Sequence, residues 1–157
     1  MGYSTGIAPV FSYNLGAQNW EEIKSLFKKS LVFMTVSAVA LVAFVHVFAR
    51  GLAAIFVSYD AGLMNLTTEA IRLYNISFLI AGFNIFAASF FAALNNGGVS
   101  SILSLTRTLV FQLGCLYILP AIIGNNGIWL SVTVAEAFAV LIALYYVFKN
   151  KDKYHYW

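Results

Sequence analysis

Charge is what this chain has least of. Asp, Glu, Lys and Arg make up only 10% of its 157 residues, against about 25% in a soluble globular domain. Hydrophobic residues make up 61%, and the mean hydropathy is +0.83. That balance excludes an ordinary cytosolic enzyme, a secreted disulfide domain and a disordered chain. Cysteine is nearly missing as well. Cys115 stands alone inside an apolar block, so it forms no intramolecular disulfide and reads as a small hydrophobe. No G-x-x-x-x-G-K-[ST] loop is present for a nucleotide phosphate. No H-E-x-x-H or paired-cysteine motif is present for a metal, so neither a metal site nor a cofactor is expected. His46 and His155 are the only histidines, and neither suggests a Ser-His-Asp assembly. Met1 is followed by Gly-Tyr-Ser-Thr-Gly, not by the basic and apolar opening of a cleavable signal peptide.

The little charge there is leaves long blocks empty. Ser30 to Ala49 contains no charged residue apart from His46 when protonated, and Leu73 to Thr106 contains none. From Thr108 to Phe148 the only acid or base is Glu136. Eighteen or more consecutive, mostly apolar residues read as a membrane-spanning helix. The expected fold is therefore an all-α polytopic transmembrane bundle, with four full spans and a partial N-terminal helix in a single unit, 1–157.

Breaks in the pattern place the pieces. Residues 1–18 read as the end of a kinked helix that stops at Gly16-Ala17-Gln18-Asn19. Residues 20–29 read as an amphipathic segment, with Trp20, Ile23 and Phe27 on one face and Lys24 and Lys28 beside it. Spans are expected at about 31–48, 71–94, 101–123 and 128–148. A connection covers about 50–65, with an apolar patch at Leu52–Val57. The breaks fall at Asn95-Asn96-Gly97-Gly98 and Gly124-Asn125-Asn126-Gly127, because Gly and Asn tolerate turns and left-handed backbone. The short first helix is too brief to cross a membrane alone, so the chain reads as the back end of something longer.

Alternating ends put Lys24, Lys28, Lys29, Lys149, Lys151 and Lys153 on one side, and only Arg50 and Arg72 on the other. By the positive-inside rule the lysine side is cytoplasmic. The 149–157 tail is then cytoplasmic in a multi-pass protein of the cell membrane. The lysines read as topology determinants, and nucleic acid is not an expected partner.

A few residues stand out within the spans. Glu136 lies near mid-depth of the last span, where an acid costs at least a few kcal/mol. It reads either as an ion-coupling or gating residue or as an acid paired inside the bundle. Arg107 lies one to two turns inside the lysine end of the preceding span, so an Arg107–Glu136 ion pair is expected if the side chains close a gap of roughly 9 Å in depth. The other reading of Arg107 is snorkelling to phosphate. Asn84 is central in its span; with Ser77 it is a candidate for lining a cavity, or else it bridges helices. Ala88-Ala92 and Ser89-Ala93 read as close-packing pairs. Pro9 removes a backbone donor ahead of Ser12-Tyr13-Asn14. Pro9 and Gly16 are thus hinge candidates, or a static kink and a plain turn, and Tyr13 and Asn14 are candidates for the mouth of a cavity. The 17% aromatic share suits both interfacial belts and pockets for flat lipophilic cations.

The run Gly6-Ile7-Ala8-Pro9-Val10-Phe11-Ser12-Tyr13-Asn14-Leu15-Gly16-Ala17-Gln18-Asn19 resembles the signature of MATE multidrug and toxin extrusion transporters. Leu73-Tyr74 through Phe90-Phe91-Ala92-Ala93-Leu94, Leu105-Thr106-Arg107, and Gly124-Asn125-Asn126-Gly127-Ile128-Trp129 with Glu136 resemble later helices of the same family, in the same order. The resemblance covers essentially the whole chain. It implies the C-terminal lobe of a two-lobe secondary antiporter, from the end of the eighth helix to the twelfth. Such a protein exports amphipathic, often cationic compounds by alternating access, in exchange for inward H+ or Na+. The implied partners are the lipid bilayer, the N-terminal lobe and a small amphipathic substrate. Two other classes fit the residues: a lipid-linked sugar flippase of related architecture, and a non-transporting membrane remnant whose spans only pack.

Overall fold

The computed structural model describes residues 1–157, which form helices joined by short turns and no strand. The first helix, α1 (Gly2–Gly16), runs unbroken through Pro9. It stops because Gln18 takes a left-handed conformation (φ 54°), with the Asn19 N–H returning to the Asn14 carbonyl at 2.9 Å. Gly16 is its last residue and is not left-handed, so the reversal expected at Gly16 belongs to Gln18.

Helix α2 (Trp20–Val57) has 38 residues, a length of about 57 Å. The Asn19 side chain accepts from the Glu22 N–H, and Glu21 and Glu22 occupy the positive end of the helix dipole. The expected pieces fall within one element. The amphipathic segment 20–29, the span 31–48 and the patch Leu52–Val57 are one helix, because Arg50 and Gly51 do not break it. A lone glycine costs only about 1 kcal/mol against alanine.

Asp60 starts α3 (Ala61–Asn75) by accepting from the Leu63 N–H at 2.9 Å. Helix α4 (Phe78–Ala93) follows after a 44° bend. The expected single span 71–94 is therefore broken at Ile76-Ser77. The Ser77 hydroxyl donates to the Tyr74 carbonyl at 2.7 Å, and the Asn75 amide reaches across to the Val42 carbonyl of α2 at 2.8 Å. Side chains that bond to nearby carbonyls compete with the helical ladder and bend it.

Asn95 (φ 56°) turns the chain, and Asn96 accepts from the Val99 N–H to start α5 (Gly97–Ile123). A π-helical stretch, Thr106–Gln112, interrupts this helix. Gly124 (φ 70°) then separates it from α6 (Asn125–Tyr154). The turn expected across Gly124-Asn125-Asn126-Gly127 is thus one residue long. Gly127 already lies in α6, where a Cβ would sit 2.5 Å from the Leu119 carbonyl oxygen. The helix also runs beyond the expected span end at 148 and stops at His155 (φ 50°), so most of the 149–157 tail is helical.

Helices α2, α5 and α6 are long and apolar enough to cross a membrane, and the bent α3–α4 pair brings the number to four if it is taken as one span. The molecule is an all-α transmembrane bundle. Val32, Val36, Val39, Phe44 and Val47 of α2 all point outward, as a helix solvated by hydrocarbon allows. The core gathers at the lysine end. Phe11 of α1, Phe27 of α2 and Phe86 and Phe90 of α4 pack with Tyr156 in one aromatic cluster, with ring centroids 4.8 Å apart for Phe27–Phe90 and 4.9 Å for Phe90–Tyr156.

Candidate functional site

The site forms where α4, α5 and α6 meet within the spans. Glu136 of α6 is 4% exposed. Arg107 lies on the π-helical stretch of α5, a backbone irregularity often found at functional positions. Its Nε and Nη2 both donate to Glu136 Oε1 at 2.8 Å. Asn84 of α4 donates from Nδ2 to Glu136 Oε2 at 2.6 Å and to the Glu136 main-chain carbonyl at 3.0 Å. One carboxylate thus ties three helices together. The Arg107 side chain is 23% exposed and that of Glu136 5%, so the guanidinium is the more reachable of the two. Asn84 Oδ1 is buried without a partner.

This cluster opens on a cavity of about 480 Å3. Tyr3 and Phe33, stacked with centroids 4.4 Å apart, form one wall. Tyr74 and Phe78 form another, and Arg107 and Glu136 lie at the polar end. Aromatic faces beside a carboxylate make surroundings suited to a flat lipophilic cation.

The structure brings Glu136 and Arg107 into contact and puts Ser77 in the cavity wall, at the α3–α4 bend. Asn84 is not in the wall; it stands behind Glu136 and holds it. Tyr13 and Asn14 are away from this cavity. Tyr13 is 76% exposed, and Asn14 is buried with its amide on the Val10 carbonyl of its own helix. Pro9 lies inside an unbroken helix, and Gly16 has open space beside it. Ser12 bonds across to the Ala93 carbonyl of α4 at 2.9 Å, which fastens α1 to the bundle. Tyr3, Phe33, Tyr74, Phe78 and Gln112 were not singled out from the sequence. Its high aromatic share was the only signal for the rings, and it names no position.

The MatE family model matches residues 1–118 of this chain. Curated relatives named Multidrug export protein MepA include three from different species. The protein from Staphylococcus saprophyticus is 26% identical over 155 residues, which cover 98% of this chain and 33% of that protein. The protein from Staphylococcus aureus strain bovine RF122 is 24% identical over the same shares. That of Staphylococcus haemolyticus is 23% identical over 153 residues, again 98% and 33%. The chain spans about a third of the length of these relatives. No solved structure matches it.

Proposed function

The chain belongs to the MatE family, and on that premise we propose that it acts as one lobe of a secondary transporter exporting small amphipathic, often cationic compounds. The second lobe would supply the facing wall of the cavity. Rocking of the two lobes would expose the cavity to each side in turn, with inward H+ or Na+ as the driving ion. The lysine clusters would face the cytoplasm, with the C-terminus on the same side.

The observation that carries this reading is the Arg107–Glu136–Asn84 cluster at the polar end of an aromatic cavity. An ionisable group within a membrane is costly and marks an ion or substrate path. In this reading a cation entering the cavity competes with Arg107 for Glu136. Loss of the ion pair would free α5 from α6, which couples occupancy of the cavity to helix movement. Asn84 would keep the carboxylate in place through the exchange. Asn14, Tyr13 and the Pro9–Gly16 segment would act at the lysine-side mouth, away from the ion pair.

Ethidium efflux tests the proposal, using cells that express residues 1–157 alone or together with the N-terminal lobe of a MepA relative. The chain alone is expected to stay at background. The pair is expected to give gradient-dependent efflux that Glu136→Gln abolishes. Robust efflux from the chain alone, or efflux by the pair that is indifferent to Glu136→Gln, overturns the reading.

A further inference from the structure

We propose that a polar cleft on the membrane face opposite the lysine clusters holds the phosphodiester of a phospholipid whose headgroup carries a hydrogen-bond donor, ethanolamine or glycerol. The cleft measures about 450 Å3 and is lined by Arg50, Asn65, Thr68, Glu69 and Arg72, with no apolar side chain.

Depth is the first argument. Arg50 directly follows the uncharged run that ends at Ala49, and Arg72 directly precedes the one that begins at Leu73. Both guanidinium groups therefore sit at the edge of the hydrocarbon, where lipid phosphates lie. They are also the only Lys or Arg between Ser30 and Thr106, and they stand against the bias that gathers bases at the other face.

Neither arginine is spent within the protein. The one ion pair of the chain is Arg107–Glu136. Glu69 lines the same cleft, yet neither Arg50 nor Arg72 closes on it; its Oε1 accepts from Asn126 Nδ2 at 3.5 Å. Two unpaired guanidinium groups match the oxygens of a phosphate through paired N–H donors.

The remaining side chains define the headgroup. Thr68 donates its hydroxyl proton to the Met64 carbonyl at 2.8 Å, so its oxygen faces a ligand as an acceptor. Glu69 is a second acceptor. The cleft thus has a donor side, Arg50 and Arg72, and an acceptor side, Thr68 and Glu69. An ethanolamine ammonium or glycerol hydroxyls satisfy that acceptor side, whereas choline has no N–H or O–H to offer it.

Native mass spectrometry of the full chain, released from detergent with defined lipids, tests the assignment independently of transport. Phosphatidylethanolamine and phosphatidylglycerol are expected to be retained about tenfold better than phosphatidylcholine, the ratio expected for about one hydrogen bond to a charged group. The R50Q/R72Q variant is expected to lose that preference, and K149Q/K151Q at the other face to keep it. Equal retention of the three lipids, or an unchanged preference in R50Q/R72Q, overturns the proposal. Displacement of lipid by millimolar inorganic phosphate also overturns it, in favour of a soluble anion. If R50Q/R72Q does not fold, R72Q is compared with the native chain by the rise in melting temperature that phosphatidylethanolamine gives over phosphatidylcholine. The rise is expected in the native chain alone, and an equal rise in both refutes the lipid site.

Discussion

Arg107 grips a single oxygen of Glu136, with Nε and Nη2 both 2.8 Å from Oε1. The other oxygen belongs to Asn84. The two partners are unlike in exposure: both border the cavity, but the acid is almost wholly buried, whereas the guanidinium is partly exposed. Breaking the pair therefore has different consequences from its two sides.

Arg107→Gln leaves a buried carboxylate held by Asn84 alone, and such a loss costs about 3–5 kcal/mol. Glu136→Gln leaves a partly exposed guanidinium that can move toward water, so the loss is expected to be smaller. The double variant should be more stable than the sum of the two losses implies, by about 1–3 kcal/mol of coupling. Thermal unfolding of the four proteins in detergent checks this. Additive losses would mean the ion pair contributes nothing.

Asn84 provides an independent handle on the same carboxylate. Asn84→Ala removes both hydrogen bonds to Glu136 and is expected to destabilise the bundle by about 1–3 kcal/mol. Asn84→Asp should be worse despite its matching shape, because it sets a second carboxylate against Glu136 Oε2. Melting temperatures in the order native, Asn84→Ala, Asn84→Asp support this arrangement; Asn84→Asp as stable as the native chain contradicts it.

The α5–α6 junction rests on two glycines for two different reasons. Gly124 needs its φ of 70° with ψ −148°, a region essentially restricted to glycine, and an alanine there is strained by about 1–3 kcal/mol. Gly127 has an ordinary backbone conformation but no room, since a Cβ would lie 2.5 Å from the Leu119 carbonyl oxygen. Overpacking of that kind costs about 1–3 kcal/mol. Gly124→Asn should recover nothing of the loss of Gly124→Ala, because φ 70° with ψ −148° lies outside the left-handed region that asparagine tolerates. Thermal unfolding checks both positions: Gly124→Asn as stable as the native chain contradicts the backbone argument, and Gly127→Ala as stable as the native chain contradicts the packing one.

Much of this arrangement was legible in the chain itself. Glu136 and Arg107 drew attention because each is a lone charge in a long uncharged block, and hydropathy alone delimited most of the apolar lengths. The boundaries were harder, for a physical reason: helices need not stop where hydrocarbon stops. Lys29 and Arg50 mark the edges of an apolar run, yet α2 continues past both because neither residue breaks a helix. The bend at Ile76-Ser77 carries no proline or glycine; it arises from hydrogen bonds of Asn75 and Ser77, one of them to a distant helix. The grip of Asn84 on Glu136 depends on how α4 is rotated against α6, which periodicity within one helix does not encode.

Tyr156 gives the chain a pH dependence that can be assigned to one residue. Its ring is fully buried between Phe27 and Phe90, and its hydroxyl donates to the Val147 carbonyl at 2.5 Å. Burial, and then the neighbouring negative charges of Tyr154 and Asp152, push this phenol well above its ordinary range. In the unfolded chain the same phenol ionises near pH ~10. Above that pH the folded protein binds the extra proton, so folding stability is complete below it and falls as pH rises, by at most about 1.4 kcal/mol per unit. Tyr156→Phe loses the Val147 hydrogen bond and is expected to be about 0.5–1.5 kcal/mol less stable at pH 7. The gap should narrow between pH 9 and 11, because phenylalanine has no proton to lose. Paired unfolding curves over that range decide the matter: a gap that stays constant or widens means that the buried hydroxyl does not control docking of the C-terminal residues.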